Sequence, residues 1–125
     1  QNNIVKKEHV KFIKILESSM DRHYFLVKHK RKIIGSINFS EINLHDSAEF
    51  GIYTNPFLQF QGAGSLLESA ASEYAFSELK LKKIKLEVFS DNKKAINFYN
   101  KCVYEFINTK SMNHQDIMRM EKMKI

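Results

Sequence analysis

The sequence predicts an α/β fold, a mixed, mostly antiparallel twisted sheet flanked by helices. Three observations carry this. Apolar and polar residues alternate over 23–29, 33–43 and 49–53, the pattern of half-buried strands. Only short polar turns separate these runs, so they pair antiparallel. Farther on, helical patterns over 64–80 and 93–101 bracket a strand over 83–89, the alternation that makes a sheet of mixed direction. A length of 125 residues suits one domain, 1–125.

The elements follow in order. Residues 6–19 read as a helix, since Val10, Ile13, Leu16 and Met20 recur at spacings of three and four with lysines elsewhere. His23 to His29 reads as a strand, Lys30-Arg31 as a tight turn, and Ile33 to Asn43 as a second strand. Asn43 to Ser47 is a polar turn, and Glu49 to Tyr53 a third strand ended by Asn55-Pro56. Leu67, Ala70, Ala71, Tyr74, Ala75 and Leu79 form one stripe of a helix over 64–80. Lys83 to Phe89 alternates as a strand, and Asp91 or Asn92 can cap the helix over 93–101. Tyr104 to Thr109 and Asp116 to Lys124 close the chain as two strands.

Composition excludes several classes. Hydrophobic residues make 43% and charged residues 27%, a globular balance rather than a disordered one. The longest apolar runs are a few residues, too short to span a bilayer. The net charge of +6 sits in two blocks, each of net +6, around residues 34–78, which carry six acidic residues and no Lys or Arg. Only Arg22, Arg31 and Arg119 are arginines, which argues against base-reading contacts with nucleic acid. The basic blocks read as solvated faces. Cys102 is the single cysteine and no secretory signal opens the chain, so a reducing, cytoplasmic setting is expected. His23, His29, His45 and His114 show no metal spacing, and no metal is expected.

Two of the four glycines lie in Gln59-Phe60-Gln61-Gly62-Ala63-Gly64, between a strand and the long helix. Glycine there permits positive φ and close backbone approach, and the free N–H groups of the helix start suit a pyrophosphate. No Lys follows the second Gly, so this is not a P-loop, and the third Gly of the dinucleotide fingerprint is missing. A glycine-rich helix start without a ligand stays open on this motif alone. A second constellation follows, in which Asn92, Ala95 and Tyr99 share one helix face.

Together these segments resemble the GNAT superfamily of acetyl-CoA-dependent N-acetyltransferases. Its acyl-CoA loop stands here as Gln59-x-x-Gly62-x-Gly64, and its later strand–helix motif as Asn92, Ala95, Tyr99, Lys101 and Tyr104. Val103 departs from the pattern, where the family usually has Gly. The family also opens with a strand and a helix that have no counterpart here, so an N-terminally truncated domain is expected. Glu8 to Ile13, Tyr24 to Val27, Glu49 to Leu58 and Leu86 to Val88 are similar to the branch serving pseudaminic acid biosynthesis. That branch acetylates the 4-amino group of a UDP-linked amino sugar.

The resemblance implies acetyl-CoA as cofactor, with direct amine attack on its thioester. Tyr99 matches the general acid that protonates the leaving sulfur. The Ile52 N–H is the implied oxyanion donor, on a strand whose Ile52 and Tyr53 backbone pairs with the pantetheine arm. Leu58, Gln59, Phe60, Gln61, Gly62, Ala63, Gly64 and Ser65 hold the pyrophosphate, and Asn92, Ala95 and Lys101 complete the cofactor set. Glu87 matches a carboxylate base and substrate contact, or else is a surface Glu pairing with Lys83 or Lys85. Asn38 could orient a water in the cleft, and His9 could meet the UDP moiety. The implied partner is a small-molecule UDP-amino sugar, with no nucleic acid, no membrane, and a homodimer as the assembly. A GNAT acting on a protein N-terminus or small amine, and a basic binding module without catalysis, stay open as alternatives.

Overall fold

The computed structural model describes residues 10–19, 22–58 and 61–124, with side chains from Arg22 onward. Its strands are β1 (Val10–Ser19), β2 (Arg22–His29), β3 (Lys32–Asn43), β4 (Ser47–Thr54), β5 (Lys83–Phe89), β6 (Glu105–Met112) and β7 (Gln115–Met123). They form one sheet in the order β1-β2-β3-β4-β5-β7-β6. Every neighbouring pair is antiparallel except β4 and β5, which are parallel. Helix α1 (Ala63–Glu73) connects that parallel pair, and α2 (Lys93–Lys101) follows β5.

The expected helix over 6–19 is corrected. Residues 6–9 lie outside the described residues, and 10–19 form β1, paired with β2 from Val10↔His29 to Ser19↔Arg22. Val10, Ile13 and Ile15 are β-branched, which favours a strand when a ladder is on offer. Pairing also satisfies the backbone groups along the outer side of β2, which no isolated helix could do.

The remaining strands fall within a residue or two of the expected bounds, except β6, which runs three residues past Thr109 to Met112; the alternation of the others reflects one buried face. The tight turn at Lys30 and Arg31 has φ of 52° and 71°, the two left-handed residues of a two-residue hairpin. Asn113 and His114, at 51° and 66°, turn β6 into β7 the same way.

Both helices pack on the face that carries Phe39 and Phe50. Leu67 and Ala71 of α1, and Ala75 just beyond its end, are fully buried with Ile34, Ile37, Ile84 and Phe39. Gly35 permits this approach, since a Cβ there would lie 2.3 Å from the Tyr53 carbonyl oxygen and 2.7 Å from Leu67 Cδ1. The α-helix is shorter than expected, giving way to a π-helical turn over Tyr74–Glu78, where the Leu79 N–H reaches the Tyr74 carbonyl at 3.1 Å. Asn92 caps α2, its Oδ1 accepting from the Ala95 N–H at 3.2 Å.

The C-terminus of α2 explains the Val103 departure. The Tyr104 N–H reaches the Tyr99 carbonyl at 3.0 Å, and the Val103 N–H reaches that of Asn100 at 3.1 Å. These are the two bonds of a Schellman motif, whose C′ residue must be left-handed. Val103 occupies it at φ 73°, with its side chain exposed. A β-branched residue there is strained, and glycine relieves the strain without losing packing. Val103→Gly is therefore expected to raise stability by about 1 kcal/mol, net of glycine's larger unfolded entropy. An unchanged or lower midpoint in thermal unfolding would count against this. Tyr104, expected to begin a strand, instead precedes β6 and is buried.

Candidate functional site

The site begins where the parallel ladder ends. β4 and β5 pair only at Ser47↔Lys83, Ala48↔Ile84 and Glu49↔Lys85. Both strands continue, but residues 50–54 and 86–89 part from each other. A cavity of about 480 Å³ fills the opening, lined by Phe50 to Tyr53, Leu86 to Phe89, Asn92, Ala95, Tyr99 and Ile117.

The opening leaves β4 backbone groups free. The Asn55 N–H donates to the Ile34 carbonyl at 2.9 Å, which sets the phase of the β3–β4 ladder. Antiparallel alternation then makes Ser36/Tyr53 and Asn38/Gly51 the hydrogen-bonded pairs. The Ile52 N–H and carbonyl therefore turn away from β3, toward the gap. Such a free edge can pair with an extended amide-bearing ligand arm or with a developing oxyanion.

Tyr99 stands over the helix side of the slot. Its ring meets Phe50 edge-on at 6.4 Å and Tyr104 at 5.3 Å between centroids. Burial is the main cause that pushes its phenol up to about 12, with the Cys102 thiol, Glu68 and Tyr53 adding to it. The hydroxyl thus keeps its proton at neutral pH and has one to donate.

The opposite face of the sheet carries charge. The Lys110 Nζ lies 2.7 Å from Glu87 Oε2, and Arg119 Nη1 lies 3.7 Å from the same oxygen. Arg119 also reaches Glu49 at 3.6 Å through Nη2. Burial raises the Glu49 carboxyl above its ordinary range, although the charges of Lys85 and Arg119 pull it down. Glu87 thus lines the slot, as expected, but its ion pairs are with Lys110 and Arg119 rather than with Lys83 or Lys85.

The glycine loop enters α1 through Gly62, the N-cap, at φ 86°. Among the described residues nothing lies within 4 Å of the position a Gly62 Cβ would take, so a ligand can approach the bare backbone. The first turn holds no acidic residue and no side-chain cap, leaving its N–H groups to an anion. Gln61 and Ser65 are exposed beside it, Gly64 is half-buried, and Ala63 is buried beneath. Leu58 packs against the core. The free β4 edge, the slot and this cradle fit an extended thioester cofactor with a pyrophosphate.

Asn38 and Lys101 do not line the slot. Asn38 lies one strand away on β3, opposite Gly51, its amide atoms 3.4 Å from where a Gly51 Cβ would sit. Lys101 is exposed at the far end of α2. His9 lies outside the described residues, as do Gln59 and Phe60 of the loop.

The sequence reading missed Arg119, Lys110 and Glu49, and a buried cluster around Glu68. Glu68 Oε2 accepts from Ser72 Oγ at 2.6 Å, Tyr104 OH at 3.1 Å and Lys122 Nζ at 2.9 Å. Burial, reinforced by Glu68, drives the Tyr104 phenol far above its usual range and the Cys102 thiol up to about 11. A signal for this cluster was present: Glu68 and Ser72 sit four apart, each beside a stripe residue. Nothing local pointed to Arg119, whose partners are set by register.

Comparison with known proteins agrees with this geometry. A family model described as Acetyltransferase (GNAT) family matches residues 4–104. The chain is 41% identical over 93 residues to Acetyltransferase PseH of Campylobacter jejuni, covering 74% of this chain and 57% of that protein. It is 32% identical over 117 residues to Spermidine N(1)-acetyltransferase of Vibrio cholerae, covering 86% of this chain and 66% of that protein. The crystal structure of Campylobacter jejuni N-acetyltransferase PseH in complex with acetyl coenzyme A superposes with a TM-score of 0.77 at 29% identity, covering 99% of this chain and 77% of that one. The chain thus spans 57% of the length of the curated PseH protein that it matches. With the matched region covering most of its residues and the parted strands, glycine cradle and Tyr99 in place, the chain belongs to the acetyltransferase (GNAT) family.

Proposed function

We propose that this chain catalyses acetyl transfer from acetyl-CoA to the 4-amino group of a UDP-linked amino sugar in pseudaminic acid biosynthesis. The observation that carries the reaction type is the slot between β4 and β5, with the free Ile52 N–H on one wall and the Tyr99 phenol above it. The similarity to PseH supports the acceptor class. When bound, acetyl-CoA supplies the activated acetyl group.

The residues divide the work. The Gly62 cradle and the first turn of α1 receive the pyrophosphate, with Gln61 and Ser65 at its rim. The β4 edge orients the arm and its Ile52 N–H faces the carbonyl oxygen as it gains charge. Glu87 borders the slot from the open face and takes the ammonium proton, so that the amine attacks neutral. Tyr99 protonates the departing sulfur. Asn38 sits beside Gly51, and both Asn38 and His9 are carried as acceptor contacts from the sequence pattern alone.

A polyamine acceptor is the second reading, favoured by the similarity to spermidine N(1)-acetyltransferase and by the carboxylates of Glu49 and Glu87. The two readings separate in one assay of purified protein with acetyl-CoA and three acceptors. Turnover of the UDP-4-amino sugar is expected to exceed that of spermidine and of a peptide N-terminus. Turnover of spermidine or peptide alone would refute the nucleotide-sugar reading.

A further inference from the structure

Among the described residues Glu87 is the one carboxylate lining the slot, and its Oε2 is held in ion pairs. Lys110 and Arg119 both lie against the same oxygen, Oε2. An acceptor ammonium reaches that oxygen only when one of the two cations moves aside. The two cations differ in how firmly they are held. Arg119 straddles Glu49 and Glu87 at 3.6 and 3.7 Å, beyond hydrogen-bond length, so its five donors are under-used. Lys110 makes the short contact, but it stands on β6, the strand at the free edge of the sheet, with 38% of its side chain exposed. Its flexible stem lets the ammonium leave at little cost.

We propose that Lys110 and Arg119 determine acceptor specificity by holding Glu87 in an ion pair that an anionic acceptor breaks. The inference rests on the nucleotide-sugar reading above. A diphosphate arriving at the open face offers Lys110 a more highly charged partner and Arg119 a bidentate one. Lys110 moves off Glu87 toward the phosphate, and the released carboxylate takes a proton from the acceptor ammonium. The neutral nitrogen then forms a bond to the acetyl carbon, the carbon–sulfur bond breaks as Tyr99 gives its proton to the sulfur, and the second proton shed by the amide nitrogen returns to the Tyr99 phenolate. An amine without the anionic group leaves the ion pair closed and reacts slowly. Glu87 is the catalytic group in this scheme, Lys110 a phosphate contact and Arg119 a shared one.

The test compares kcat and KM for the UDP-linked amino sugar with those for the same amino sugar lacking UDP. Wild-type protein is expected to prefer the nucleotide-linked acceptor. Lys110→Met should cut that preference by about tenfold or more, the worth of a charge-assisted hydrogen bond. The change should be split, with KM rising for the nucleotide sugar and kcat rising for the free sugar. Lys110→Arg should restore the preference, and Arg119→Gln should weaken it in the same direction as Lys110→Met. A Lys110→Met protein that slows both acceptors by the same factor has lost only structure, and that result overturns the inference while leaving the acceptor class intact. Wild-type protein inactive on the nucleotide sugar overturns the functional reading and the inference together.

Discussion

Tyr99→Phe is expected to lower kcat by about 10²–10⁴-fold, the usual worth of a positioned general acid, while leaving acetyl-CoA affinity nearly unchanged. The ring packs against Phe50, Phe98 and Tyr104, and phenylalanine keeps every one of those contacts. Only the proton donor is lost. The pH behaviour follows from the raised phenol. Its folded value is near 12, above the ordinary 10.0. Burial therefore favours the neutral form, a gain fully present below 10.0 and lost as pH climbs through about 12. No neutral-pH titration belongs to Tyr99, so the deficit of the variant should be constant across that range. Steady-state kinetics at several pH values with isothermal titration of acetyl-CoA checks this. A Tyr99→Phe protein with wild-type kcat would remove the residue from the chemistry.

Gly64→Glu is expected to abolish detectable acetyl-CoA binding, while the fold survives. A Cβ at Gly64 would meet the Phe98 ring at 3.7 Å, an ordinary contact, so the backbone need not move. The new carboxylate enters the first turn of α1, which holds no acidic residue. Negative charge there favours the helix by about 0.3–1 kcal/mol through its dipole. The same charge opposes a pyrophosphate seated on the same N–H groups. Stability and binding should thus move in opposite directions. Thermal unfolding with and without acetyl-CoA reads both, and a variant still stabilised by the cofactor would contradict the loop assignment.

Much of this site was legible before any fold was known. The glycines of the loop announced themselves because residues at positive φ, such as Gly62, are chosen for local reasons. Asn92 and Tyr99 were legible because helical spacing puts them on one face. The strands 23–29, 33–43 and 83–89 were legible because one buried face imposes a period of two. Each of these signals lies within a dozen residues, where the chain alone sets the geometry.

What the sequence by itself determined is therefore the strands and helices after residue 22, the glycine loop at the start of α1 and the place of Tyr99 on α2. Tertiary structure alone decided the rest. Residues 10–19 carry spacings compatible with a helix, and pairing with β2 made them a strand. Glu87 and Arg119 are 32 residues apart, and they oppose each other only because β5 and β7 pair in the register Glu87↔Arg119. Lys110 joins them through the β6–β7 hairpin, and Glu68 finds Lys122 across the sheet–helix interface. A register shift of one residue would send each of these side chains to the other face. The slot has the same origin. It exists because a parallel ladder stops after Glu49 while both strands run on, and no local pattern records where a ladder between distant strands ends.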